Sequence, residues 1–166
     1  MKKKLTHLNN SGEMTMVDIS DKKITNRIAK SKGVIYMKRT TLNLIRQNLI
    51  KKGDVLAAAR LAGIQAAKHT PNLIPLSHPI RLSLIQCAFI LVDTPVSIEI
   101  ESTVKCSDRT GAEIEALMAV QIAALTIYDM CKSVDRTMRI DNVRLTYKSG
   151  GKSGTFTSSR PRLEVK

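Results

Sequence analysis

Tryptophan is absent, and the aromatic set is three tyrosines (Tyr36, Tyr128, Tyr147) and two phenylalanines (Phe89, Phe156) in 166 residues. The core must therefore be aliphatic, and the stacking platforms of single-strand nucleic-acid binders have little raw material. Cysteine is scarce as well. Cys87, Cys106 and Cys131 make no C-x-x-C pair and cannot all bridge one another, which fits a reducing compartment. Long hydrophobic runs are missing: the longest charge-free apolar stretch, Ala116 to Tyr128, contains Gln121 and Thr126 and is shorter than the ~20 residues a membrane span needs. Met1-Lys2-Lys3-Lys4 is followed by polar Thr6 to Glu13 where a signal peptide would place its apolar segment. The expectation is a cytoplasmic protein with no membrane partner.

Acidic residues are few, 14 against 27 basic ones, for a formal charge of +13. The excess is segregated: residues 1–52 sum to +10, residues 53–131 to −3 and residues 132–166 to +6. Basic ends around an acidic middle suit an anionic partner gathered by the two ends; a solvated lysine surface gives the same count. With 43% apolar and 25% charged residues, the chain has the composition of a globular protein, and its length fits one domain of about 100–200 residues.

Residues 1–33 read as a polar N-terminal arm, 34–150 as the folded domain and 151–166 as a flexible basic tail. Val34 to Met37 is a short strand. Thr40 or Thr41 caps a helix carrying Leu42, Leu44, Ile45 and Leu49, and Asp54 caps a second that Thr70-Pro71 stops. Leu82 to Val92 and Val96 to Lys105 form a hairpin through Asp93-Thr94-Pro95, a long helix runs from Ala112 to about Lys132, and Val143 to Tyr147 is the last strand. The order β-α-α-β-β-α-β is a split β-α-β plan, hence an α+β fold with an antiparallel sheet and helices on one face. Val96, Ile98, Ile100 and Val104 alternate with polar residues. The preceding strand is apolar on both faces, with Leu82, Leu84, Ala88, Ile90 and Val92 on one side and Ile85, Cys87, Phe89 and Leu91 on the other. A two-layer monomer covers one such face, so a second subunit is expected on the other.

Gly150-Gly151-Lys152-Ser153-Gly154 echoes the end of a P-loop, but Thr146 stands where the first glycine belongs and no helix follows. A glycine-rich turn that offers amides and lysines to phosphate remains open. Ser77-His78-Pro79 sits in a loop where functional side chains are common, although no nucleophile elbow is present and His7 and His69 share no metal-ligand spacing with His78. Glu113 and Glu115 open the long helix, where a carboxylate complements the helix dipole. At its other end Asp129 and Lys132 share a face at i, i+3, as an exposed ion pair or as an acid/base pair on a rigid element.

Met16-Val17-Asp18-Ile19-Ser20, Lys52-Gly53-Asp54-Val55, Ala62 to Lys68, Leu73 to Pro79, Glu113 to Leu117, Ala124 to Lys132 with its Tyr-Asp-Met-Cys-Lys block, and Lys148-Ser-Gly-Gly-Lys-Ser-Gly154 resemble the cyclic pyranopterin monophosphate synthase family of molybdenum-cofactor biosynthesis. The likeness runs in register from Leu5 to about Phe156. Ser77 stands where many members have Cys, and Arg109 where many have Lys. The resemblance implies a ferredoxin-like fold and a lyase acting on 3′,8-cyclo-7,8-dihydro-GTP, which becomes cyclic pyranopterin monophosphate with loss of pyrophosphate and with no cofactor or metal. It implies Asp129, Lys132 and Lys52 as catalytic residues. Leu76, Ser77, His78, Ile114, Glu115, Arg27, Lys68 and Lys148 are implied to bind substrate. It further implies a hexamer, a trimer of dimers with sites at subunit interfaces. Lysines crowded in one pocket repel one another, so one can serve as base while the Asp129 charge holds another as acid. A small RNA-binding module on the sheet is the competing class, set against the missing aromatic RNP pattern; a nucleotide-binding subunit without turnover is a third.

Overall fold

Alternating burial along Thr25–Tyr36 makes this segment strand β1, with Ala29, Ser31, Gly33 and Ile35 inside and Lys30 and Lys32 outside. The computed structural model describes Leu8 and residues 11–158. After β1 come α1 (Arg39–Arg46), α2 (Val55–Lys68), the short α3 (Thr70–Leu73), β2 (Leu82–Asp93), β3 (Val96–Asp108), α4 (Glu113–Cys131), β4 (Arg139–Ser149) and β5 (Phe156–Thr157). The sheet order is β2-β3-β1-β4-β5 with every neighbouring pair antiparallel. Helices α2 and α4 pack against each other, α4 against β1, β3 and β4, and α2 against β2. The α+β architecture is thus the expected one.

Several boundaries differ from the sequence reading. Strand β1 begins at Thr25 rather than Val34, inside the segment read as an arm. Its inward positions are small or polar, so apolar alternation is invisible there, and the reason is α4. A Cβ on Gly33 would lie 2.7 Å from Val120 Cγ1, a separation real Cβ atoms do not show, so the helix lies close on the strand. Asp54 caps α2 as expected, its Oδ1 accepting from Ala57 N at 2.9 Å. Neither Thr40 nor Thr41 caps α1: the N-cap is Lys38, and the Thr41 hydroxyl donates to Asp135 instead. Leu82, read on the face of Leu84 and Ile90 and opposite to Ile85, packs with Ile80 and Ile85, because the register shifts between Leu82 and Leu84. Beyond that bulge the expectation for β2 holds. Cys87 is buried on the helix side, and Ile90 is 49% exposed on the other. The chain after Gly150 returns to the sheet as β5, where Lys148 pairs with Phe156. Residues 159–166 of the expected tail lie outside the described residues.

The core is aliphatic, as the missing aromatics require. Ile35, Leu42, Ile98, Ile100, Val120 and Ile127 are fully enclosed between sheet and helices. Helix α4 is long and apolar enough to cross a membrane, and its burial against three strands and α2 accounts for that composition. Its ends are anchored in the core through Ala116, Met130 and Cys131, while Ile114 near one end and Asp129 and Lys132 at the other are exposed.

Candidate active site

At the C-terminal end of α4, Asp129 lies between two ammonium groups. Lys132, one turn along the helix, brings Nζ to 2.7 Å from Oδ1. Lys52 arrives from the turn before α2, with Nζ 2.9 Å from Oδ2 and 2.9 Å from the Asp129 carbonyl oxygen. That last bond satisfies a helix-terminal carbonyl, which a cation at a helix C-terminus is suited to do. The hydrogen bonds from Lys132 and then Lys52 hold the Asp129 carboxyl down at about 2. All three side chains are about half exposed, so the cluster opens to solvent. The structure therefore brings Asp129, Lys132 and Lys52 together from two separate segments.

At the other end of α4, a cavity of about 410 Å³ is lined by Leu76, Ser77, His78, Thr110, Gly111, Glu113, Ile114 and Glu115, with Val17, Ile19 and Lys22 on its far wall. The five sequence-read residues Leu76, Ser77, His78, Ile114 and Glu115 thus share one cavity. Glu115 is 2% exposed, and burial pushes its carboxyl up to about 7.

Arg27 and Lys148 stand side by side on β1 and β4 next to this cavity, sharing Gly111 and Glu113 with it. Lys148 Nζ lies 3.2 Å from Glu113 Oε1 and donates to Ser153 Oγ at 2.8 Å. The Arg27 guanidinium donates to the carbonyl oxygens of Asp108 and Arg109, each at 3.0 Å. Gly150 and Gly151, with φ of 94° and 74°, turn over it so closely that a Cβ on Gly151 would sit 2.2 Å from Arg27 Nη1. Lys68 is apart from all of these, at a separate cavity of about 380 Å³ with Ile64, Ile80 and Leu82.

The lining residues Val17, Ile19, Lys22, Thr110 and Glu113 were not singled out as binding residues from sequence. Glu113 read as a helix-dipole carboxylate, and the alternation Val17, Ile19 around Asp18 was the only pattern in an otherwise polar segment. At 1.5 Å per residue, Ile114 and Asp129 are about 22 Å apart along α4. Within one chain, the carboxylate–lysine cluster and the cavity do not face each other.

An antiparallel sheet covered by helices, with a solvent-facing carboxylate between two lysines at one end of α4 and a basic-rimmed cavity at the other, defines a small α+β protein with two separate clusters of ionisable groups. The chain matches the MoaC family over residues 16–151 and belongs to it. It is similar to proteins named cyclic pyranopterin monophosphate synthase: 53% identical over 152 residues to that of Desulforamulus reducens (92% of each chain), 52% over 158 residues to that of Chloroflexus aurantiacus (95% of this chain, 96% of the relative) and 49% over 154 residues to that of Parvibaculum lavamentivorans (93% and 96%).

Proposed function

We propose that the protein is a lyase of molybdenum-cofactor biosynthesis that converts 3′,8-cyclo-7,8-dihydro-GTP to cyclic pyranopterin monophosphate and releases pyrophosphate. One observation carries the reading: Asp129 clamped by Lys132 at 2.7 Å and Lys52 at 2.9 Å, on the rigid end of a core helix. Rebuilding a purine into a pterin breaks and re-forms carbon–nitrogen bonds with a proton transfer at each, and ammonium groups ordered by a carboxylate are suited to supply and take back those protons at the reacting ring. Asp129 stays ionised and orients both lysines. Forming the cyclic phosphate expels pyrophosphate, whose growing negative charge calls for cations; Arg27 and Lys148 supply them beside the cavity that holds His78, and Lys68, from its separate cavity, joins them from another copy. Leu76, Ser77, Ile114 and Glu115 form the wall against which the base rests.

The ~22 Å between cavity and catalytic cluster is bridged by assembly. A catalytic group must come within about 3 Å of the atom it serves, so one copy presents Asp129, Lys132 and Lys52 to the cavity of another. The homohexamer, a trimer of dimers, belongs to this reading, and the outward apolar residues of β2 support it. So does a ferredoxin-like fold, on the strand order β2-β3-β1-β4 with α2 and α4 on one face. Cytoplasmic residence is supported by three unpaired, buried cysteines. The direct test is incubation with the cyclised dihydro-GTP made by the preceding radical enzyme. Stoichiometric pyrophosphate and a pterin chromophore are expected, and binding without either product would make the protein a nucleotide carrier.

A further inference from the structure

A further buried carboxylate lies just beyond the end of α4 that carries Asp129 and Lys132. Asp135 follows α4 by one turn and is 1% exposed. Its backbone N–H donates to the Cys131 carbonyl at 3.0 Å, so it moves with the end of the helix that carries Asp129 and Lys132. Its carboxylate is saturated: Oδ1 accepts from Thr137 N at 3.0 Å and Thr137 Oγ1 at 2.7 Å, and Oδ2 accepts from Lys38 N at 2.9 Å and Thr41 Oγ1 at 3.2 Å. The first pair closes the local turn. The second pair reaches the N-terminus of α1, a helix with no side-chain cap of its own.

From α1 the chain is hydrogen-bonded turn by turn to Lys52. Asn48 N donates to Ile45 O at 3.0 Å, Leu49 N to Leu44 O at 2.8 Å and Gly53 N to Ile50 O at 3.0 Å. The segment that carries Lys52 is therefore continuous with α1, and α1 is tied to the end of α4 by one buried carboxylate, through Oδ2 and through the Lys38 ammonium 4.0 Å from Oδ1.

We propose that Asp135 is a positioning residue for the reaction: by capping α1 from the loop that ends α4, it holds Lys52 in register with Asp129 and Lys132. The inference rests on the catalytic reading of that trio. Without the tether the N-terminus of α1, which Leu42 and Ile45 still anchor in the core, shifts on the α4 terminus, and Lys52 loses its contact with Asp129 while Lys132, on the same helix, keeps its own.

Two hydroxyls on the same carboxylate separate positioning from plain stability. Thr41→Val removes one of the two bonds to α1 and leaves that from Lys38 N; Thr137→Val removes one of the two within the loop and leaves that from Thr137 N. Both are measured with Asp135→Ala, Asp135→Asn and Asp129→Asn in the full-length protein, well below each melting temperature, for kcat and KM with cyclised dihydro-GTP and for the Asp129 carboxyl titration by carbon-detected NMR. Asp135→Ala and Thr41→Val are expected to lower kcat by about tenfold or more at near-constant KM, the loss following from misplacement of one acid/base group. The Asp129 midpoint should climb from about 2 part of the way to the ordinary 3.8, since only the Lys52 contact is lost. Asp135→Asn, which keeps shape and one acceptor oxygen, should recover part of kcat, and Thr137→Val should leave kcat and midpoint in place. If Asp135→Ala does not fold, Thr41→Val alone decides. Equal effects of the two threonine variants, or an unmoved midpoint with unmoved kcat, would overturn the inference and leave Asp135 a helix cap. Full activity of Asp129→Asn would instead overturn the catalytic reading itself.

Discussion

Asp129 shows how far one side chain's surroundings set its task. With its carboxyl held at about 2 by Lys132 and Lys52, it is ionised throughout the neutral range, a fixed negative charge between two ammonium groups, which the proposed reaction uses as proton carriers. Asp129→Asn keeps the size and removes the charge; Lys132→Ala removes an ammonium. Each is expected to cut turnover by about 10²–10⁴-fold, the contribution of a positioned acid or base. Because both side chains are half exposed, melting temperature and assembly should scarcely move. Near-wild-type rates in both would pass the role to Lys52 and His78. Glu115 behaves in the opposite sense. Burial raises its carboxyl from 4.5 to about 7, so the folded state holds a proton that the unfolded chain releases. Its favourable linkage is complete below pH 4.5 and is lost as pH rises through about 7, a change on the order of 3 kcal/mol at about 1.4 per unit. Urea titrations at pH 5 and pH 8 should show this loss in the wild type and a flatter dependence in Glu115→Gln. An equal slope in both would mean that Glu115 is ionised in the folded protein.

Packing between elements rests on small residues where helices and strands approach. A Cβ on Gly63 of α2 would lie 2.9 Å from both the Ala119 carbonyl oxygen of α4 and Cys87 Sγ of β2. Gly63→Val should therefore force the three elements apart and cost about 1–3 kcal/mol, read as a lower urea midpoint at an unchanged slope. A midpoint equal to wild type would show that α2 yields freely. The same closeness explains what the sequence shows and what it hides. Strands β2 and β3 are legible because inward positions such as Phe89, Leu91, Ile98, Ile100 and Val104 are large and apolar and alternate visibly, and α4 because its long charge-free, alanine-rich run reads as a helix. The first half of β1 is hidden because Ala29, Ser31 and Gly33 fit under α4 only by being small. The inward turn of Leu82 depends on a bulge, and no single-sequence periodicity encodes one. For the site, the i, i+3 spacing of Asp129 and Lys132 is local and therefore readable. The Lys52 contact joins positions 77 residues apart, and Asp135 reaches Lys38 across 97; nothing in the spacing announces either. Lys52 was found through family likeness, and Asp135 was not found at all.

The whole molecule poses a geometric problem that a single chain does not solve. Arg27, Lys148, His78 and Glu115 gather at the N-terminal end of α4, whereas Asp129, Lys132 and Lys52 sit at the C-terminal end, about 22 Å away. If a site draws its cavity from one copy and its catalytic cluster from another, two variants that are each inactive should complement. Asp129→Asn copies keep a sound cavity, and Lys148→Ala copies keep a sound cluster. Unfolded together, mixed in equal amounts and refolded, they should recover roughly a quarter of wild-type turnover, because a quarter of randomly drawn pairs join a sound cavity to a sound cluster. Sedimentation should report an assembly several times the 18.4 kDa chain mass throughout. If each site lay within one chain, every copy in the mixture would carry one defect, and no activity would return. A monomer in the wild type, or an unmixed loss of activity in the hybrids, would require the cavity and the cluster to serve separate purposes.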